Sequence, residues 1–419
     1  MNIGRGTAIV AALAAAGATA ASSAGRQVET GPVATYWMSA STTTGLGAMG
    51  AGMEAGGRRP GLGSMMGMAM GGGMNANAVT KTLVLQLGST RRPQGDPRAE
   101  HDPPTGLGAG AVLPLLTPPP AEPAREEAGP QTPQQYRQPQ GRMLIFWGCG
   151  EHAGPGQPYV IDFAKLGAGA GGQQFAALAR GMSLSAMQPP SPSRSATYGE
   201  WPNRETRTRL NGDASLQGAH MVKGDYTPQI EFTLAANQDF LSALRLTQNQ
   251  KNPSGSASLA WRPVDGALGY FATMFGAQGG EVVMWTSSAN QASAFALPEY
   301  LSNGDISRLV AAHTLMAPAQ TSCVIPQEAV AAAGHGGFFA LTAYGGETNI
   351  SYPPRPPAPT PWNIAWTVKV RYRSATNGLL GMSMPGGEDQ PSDDQKPPPK
   401  KKPSRAGSLL HSLSGVVLP

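Results

Sequence analysis

Glycine and proline punctuate this chain so densely, 55 and 39 of its 419 residues, that few long helices can persist in it. The apolar runs between them are short, and many alternate polar with apolar positions. Charged residues make up only 14% of the chain, against roughly a quarter in an ordinary soluble domain. Low charge with abundant Gly, Pro, Ser and Thr favours strands and loops over a helical bundle. The expected class is therefore mainly β.

The ends differ from the middle. Arg5, the apolar run "TAIVAALAAAGATAA" (Thr7 to Ala21) and the small residues after it have the order of a secretory signal peptide, expected over 1–24. Its consequence would be a periplasmic or secreted protein. The 25–78 segment, in which seven methionines from Met49 to Met74 are set in glycine, lacks the bulk for a core, so disorder is expected there. The 381–419 tail is rich in proline and lysine. From residue 393 onward, Lys396, Lys400, Lys401, Lys402 and Arg405 against Asp393 and Asp394 give +3 of the net +5. The remainder is near neutral, which argues against a nucleic-acid-binding face. No run is long and apolar enough to suggest a transmembrane helix.

Between the ends, two β-sandwich-like domains are expected. The first covers 79–250. It holds the strand patterns "KTLVLQLGS", "GRMLIFWGCGE", "PYVIDF" and "GAHMVKGDYTPQIEFTL", a short helix over 171–182, and a proline-rich loop over 92–140. The second covers 251–380. Leu259 and Trp261 share one strand face, Pro-Val-Asp-Gly turns the chain, and Tyr270, Ala272 and Met274 share a face of the next strand. "GGFFALTAYGGETNISYPP" reads as strand, turn, strand. In "PWNIAWTVKVRYRS", Ile364, Trp366, Val368 and Val370 alternate as in a half-buried strand.

Residues 255–355 resemble a fibronectin type III or related immunoglobulin-like domain. The residues that carry the resemblance are Trp261, Pro263, Gly266, Ala267 and Tyr270, then Phe339, Leu341, Ala343 and Gly345. Phe339 lacks the hydroxyl of that family's tyrosine corner, and the span from Asn290 to Gly334 exceeds what the family needs. The resemblance implies a sandwich and assigns no activity.

Candidate chemistry is sparse. Cys149 and His152 are spaced like two metal ligands or a nucleophile with its base, but no second pair completes a metal site, and Cys149 ends an apolar strand, where burial would leave its thiol inert. Cys149 and Cys323 can form a disulfide in an oxidising compartment, or stay as buried thiols. The thioethers of Met65, Met66, Met68 and Met70 would suit copper(I), although no His, Cys or Asp accompanies them. Of seven tryptophans, Trp201 and Trp362 sit among turn residues, where exposure for glycan binding is natural. No catalytic constellation emerges, and no cofactor is implied. The expected function is that of an exported, non-catalytic cell-envelope or secreted protein that binds an envelope protein partner. The alternatives are a module binding cell-wall glycan through exposed tryptophans, and a Met-rich copper-binding protein.

Overall fold

A computed structural model describes residues 27–46, 48, 78–119, 141–162, 184, 188–292 and 297–382. The 1–24 leader, Met65 to Met70, the 171–182 helix and the tail from 383 lie outside the described residues. In chain order the strands are β1 (Glu29–Thr30), β2 (Ala34–Gly45), β3 (Thr80–Ser89), β4 (Ala99–Asp102), β5 (Leu113–Pro114), β6 (Arg142–Trp147), β7 (Tyr159–Asp162), β8 (Thr197–Trp201), β9 (Gly218–Gly224), β10 (Ile230–Leu234), β11 (Leu246–Lys251), β12 (Ala257–Trp261), β13 (Gly269–Gln278), β14 (Glu281–Thr286), β15 (Ser322–Ile325), β16 (Phe338–Tyr352), β17 (Trp362–Asn363) and β18 (Trp366–Leu379). Helix α1 (Asn303–Ala311) precedes β15, and α2 (Gln327–Ala333) follows it. The protein is mainly β, as its composition demands.

A nine-stranded sheet, ordered β7-β6-β14-β13-β16-β18-β2-β3-β8, runs through the molecule. Two smaller sheets cover one of its faces. The four-stranded sheet β10-β9-β4-β5 packs over the β2 half, where His101 and Phe232 meet Tyr36. The three-stranded sheet β11-β12-β15 packs over the β13 half, where Trp261 lies edge-on to Tyr270 at 5.4 Å between ring centroids. One continuous apolar cluster fills the space between the layers. It draws on Tyr36, Met38 and Leu85 at one end and on Trp261, Trp285 and Leu341 at the other.

The large sheet crosses the expected domain boundary at 250. Strand β18 from the second region pairs with β2, which pairs in turn with β3 of the first, and β6 of the first pairs with β14 of the second. The two β regions therefore share one sheet and one core.

The coreless reading of 25–78 gives way over Ala34–Gly45. Here twelve residues form the interior strand β2, buried on both faces. Even-numbered Ala34, Tyr36, Met38 and Ala40 enter the core. The small polar residues are also buried because each hydroxyl finds a partner. Thr42 Oγ1 donates to Leu241 O at 2.7 Å, and Thr44 Oγ1 donates to Leu244 O at 2.6 Å.

Part of the 92–140 loop is likewise structured. β4 and β5 belong to the four-stranded sheet, and Leu107, Leu113 and Leu115 are fully buried. β4 gave no apolar signal because the residues it buries are a small alanine, Ala99, and a histidine, His101.

A third difference concerns Gly345 and Gly346. They do not turn the chain; β16 continues through them with a register shift between Tyr344 and Glu347. The Asn303 side chain holds the irregularity. Its amide nitrogen donates to Glu347 O, and its amide oxygen accepts from Glu347 N–H, both at 2.9 Å. A Cβ on Gly346, at φ +70°, would collide with that oxygen.

Local turn chemistry in the Trp261–Tyr270 connection follows the residues. Gly266 takes φ +79°, Ala267 N–H donates to Val264 O, and Val264 N–H donates to the buried Tyr270 hydroxyl at 2.9 Å. The long Asn290–Gly334 span contains α1, β15 and α2. Ser302 caps α1 by accepting from Asp305 N–H. Gly276 allows Ala333 of α2 to lie directly against β13, where a Cβ would approach within 2.5 Å.

Cys149, just after β6, and Cys323, in β15, are joined in a disulfide across 174 residues of chain. The bond ties the loop at the end of β6 to the three-stranded sheet. Closing a loop of that length lowers the entropy of the unfolded chain by an amount worth about 5 kcal/mol in the chain-entropy model. Urea unfolding of the Cys149→Ser/Cys323→Ser variant should show a lower midpoint, with an unfolding free energy reduced by up to that amount. Reducing agent should bring the wild type down to the same midpoint and leave the variant unchanged.

Candidate functional site

Trp201 is buried, with 5% of its surface exposed, and packs in the core from β8. It cannot stack on a sugar, because it lacks the exposure that its turn-like surroundings suggested, and the glycan alternative loses one of its two tryptophans. Its neighbours had suggested a turn; the strand β8 pairs it with Leu85 of β3 instead. Trp362 is partly exposed, but its indole N–H donates to Pro353 O at 2.9 Å and Arg355 lies over its ring at 5.3 Å. Cys149 is spent in the disulfide, and His152 contacts Glu328 at 3.2 Å on the surface. Among the described residues, no three His, Cys, Asp or Glu side chains gather as metal ligands would.

Around Trp362 the sequence builds a surface of a different kind. β1 pairs with β17 in parallel, setting the N-terminal segment beside the proline-rich strap 352–361. Gln27 Nε2 donates to Pro356 O at 3.0 Å and Thr360 O at 2.7 Å, while Arg355 reaches Gln27 at 2.9 Å and Glu29 at 2.7 Å. Tyr352 stacks on Trp366 with centroids 5.5 Å apart, yet 54% of it remains exposed. Val28, in the same segment, is 60% exposed. Tyr, Trp and Arg are the residues enriched at protein interfaces, where their large rigid faces give contact area for little lost freedom.

Two polar arrangements, one buried and one half-buried, accompany this surface. The first joins Tyr36, His101 and His220. Tyr36 Oη lies 2.8 Å from His101 Nδ1, His101 Nε2 lies 2.9 Å from His220 Nδ1, and His220 Nε2 lies 2.7 Å from Leu216 O. The carbonyl can only accept, so His220 carries its proton on Nε2; His101 then donates from Nε2 and Tyr36 donates to His101 Nδ1. Burial, with His220 beside it, holds the His101 pKa well below the ordinary imidazole value. Burial also lowers His220, opposed by the bond to Leu216 O. No sequence signal marked this group, because each member sits on a different strand or in the expected loop.

The second arrangement lies on the opposite face of the large sheet. Lys369, Arg371 and Arg373 share that face of β18 and interleave with rings. Lys369 and Arg371 flank Trp37 at 5.4 and 4.9 Å, and Arg371 and Arg373 flank Tyr300 at 4.5 and 5.2 Å. Ser39 and Ser41 accept from the two arginine Nε–H groups at 2.7 and 3.0 Å. Desolvation lowers the Arg371 pKa, which the neighbouring Tyr300 partly offsets.

A cleft of about 320 Å³ near β8 is lined by Arg92, three prolines and Tyr198, among others. Its threonines are already committed, Thr117 to Tyr198 O and Thr197 to Arg91 O. Its lining contains no Asp, Glu, His or Cys that could serve as a general acid or base.

Comparison with protein-family models, with curated proteins and with solved structures finds no match to this chain.

The ladder on β18 generates a test of its own. Arg371→Lys removes the planar group that stacks on two rings and donates Nε–H to Ser39, so it should cost about 1–2 kcal/mol. Urea unfolding would measure this, with the exposed change Arg204→Lys as a control of little effect.

Proposed function

We propose that this is an exported, non-catalytic β-sandwich protein, periplasmic or secreted, that binds a protein partner through the surface formed by Val28, Tyr352, Arg355 and Trp362. The single observation that carries the reading is this solvent-facing aromatic and arginine surface, held on the strap between β16 and β18. Its apolar body and one cation suit a partner surface with an apolar centre and acidic rim. The Cys149–Cys323 disulfide supports an oxidising destination, in keeping with the leader-like start of the chain.

The fibronectin type III-like character of the second region belongs to the same proposal. The three-stranded order β11-β12-β15 lies over β14-β13-β16-β18, with Trp261 against Tyr270 between the layers; this arrangement supports the resemblance. The glycan reading retains only Trp362, one face of which is covered by Arg355.

A photo-cross-linking residue placed at 352 in the native cell should give a discrete protein adduct. Arg355→Glu should abolish it while changing stability by less than about 1 kcal/mol, because the Arg355–Glu29 pair is exposed. The same cross-linker at Val160, exposed on edge strand β7, should not give that adduct. Identical adducts from both positions, or none from either, would defeat the proposal. Co-sedimentation with cell-wall glycan that is lost in Tyr352→Ala would replace the protein partner by a glycan.

A further inference from the structure

The relay between the sheets has a property that the binding surface does not use. Its hydrogen bonds run in one direction, from the Tyr36 hydroxyl through both imidazoles to Leu216 O, and every ring nitrogen is committed. His101 is 0% exposed and His220 2%. The arrangement has no position for another proton. A proton on His220 Nδ1 would set two N–H groups against each other across 2.9 Å. A proton on His101 Nδ1 would face the Tyr36 hydroxyl, whose hydrogen would then need a new acceptor.

The surroundings give an imidazolium no compensation. Tyr36 faces His101 from β2, and the Phe232 ring of β10 stacks on His220 at 4.8 Å. Tyr226 is the other ionisable group affecting Tyr36, and its buried hydroxyl makes no hydrogen bond among the described residues. Glu100 and Asp102, the chain neighbours of His101, pair with Lys223 on the other face of β4. The low pKa values of both imidazoles agree with this geometry.

We infer that the Tyr36–His101–His220 relay is an acid-operated lock between the four-stranded and nine-stranded sheets, so that proton uptake frees this half of the molecule while the disulfide-bearing half stays folded. His101 and His220 are on β4 and β9, the two central strands of the four-stranded sheet, and Tyr36 is on the strand beneath them. The three-stranded sheet has no such group among the described residues. His152 and His313 are exposed, and Cys149–Cys323 ties β15 to the loop after β6.

The direction follows from linkage. Both folded-state pKa values are depressed, so the unfolded or opened state binds more protons below its own value of roughly 6.5. The stabilisation is complete above that pH and falls as pH drops through it, until the folded-state values are reached. Two groups together can change the opening equilibrium by up to about a hundredfold per pH unit in that window.

The test is hydrogen exchange of the full-length oxidised protein at about pH 7.5 and about pH 5, corrected for intrinsic exchange rates. Peptides covering Ala99–Asp102, Gly218–Gly224 and Ile230–Leu234 should lose at least about tenfold in protection relative to Ala257–Trp261 and Ser322–Ile325. His101→Gln/His220→Gln, whose amides can carry the same donor order without titrating, should abolish the difference. Should that variant fail to fold, isotope-labelled histidine spectra of the wild type decide. Two neutral, Nε2-protonated imidazoles throughout the folded range support the lock. Titration of both near 6.5 with the fold intact would overturn it, as would equal loss of protection in the two halves.

Discussion

The molecule depends on a parallel seam between strands from opposite ends of the chain. β18 pairs with β2 from Trp366↔Ala34 to Asn377↔Gly45, and β2 then carries β3 and β8. Without that seam the nine-stranded sheet would divide between β18 and β2, leaving each part with an unpaired interior edge. Because β2 is covered on both faces, its hydroxyls cannot rely on water. They are bonded to Leu241 and Leu244 on one side and to Arg371 and Arg373 on the other. Backbone pairing and side-chain satisfaction therefore reinforce each other at the same strand. The long separation also places most of the closure entropy in this one contact, a topology that folds slowly.

Polar groups do different work on the two faces of the sheet. On the face opposite the small sheets, arginine and lysine stems lie against Trp37 and Tyr300, and the rings share the place of solvent with Glu347, paired to Lys369, and Glu299, paired to Arg373. On the inner face the interlayer polar contact is a neutral chain of tyrosine and two histidines. A neutral relay costs less to bury than an ion pair, but it requires a single protonation state. The two halves of the sandwich are thus held differently: one by a covalent bond that responds to redox state, the other by hydrogen bonds that respond to pH.

These internal features leave the proposed binding surface at one end of the sheet, on the strap between β16 and β18 and on β1. The strap is rich in proline and tied to Gln27 and Glu29. A segment restrained in this way presents Tyr352 and Arg355 with little freedom left to lose on binding. Function in this reading comes from what the sheet holds in place.

Composition and periodicity by themselves determined the β class and most of the strands whose side chains alternate visibly. β12 and β18 could be read from Leu259 and Trp261 and from Trp366 to Val370, because a half-buried strand writes its period into the sequence, and β13 and β14, covered on both faces over most of their length, showed as short apolar runs. Tertiary structure alone decided the roles of β2 and β4, whose buried residues include serine, threonine and histidine beside the apolar ones. Such residues enter a core only when a partner from a distant strand satisfies them, and that partner is invisible along the chain. The same reason explains Trp201 and the Gly345–Gly346 bulge: local residues suggested a turn, and pairing with β3 in one case and the Asn303 side chain in the other overrode it. It also explains why the sequence could list Cys149 and Cys323 as a pair or as free thiols. Only the packing of β15 beside the end of β6 brings the two sulfurs within bonding distance.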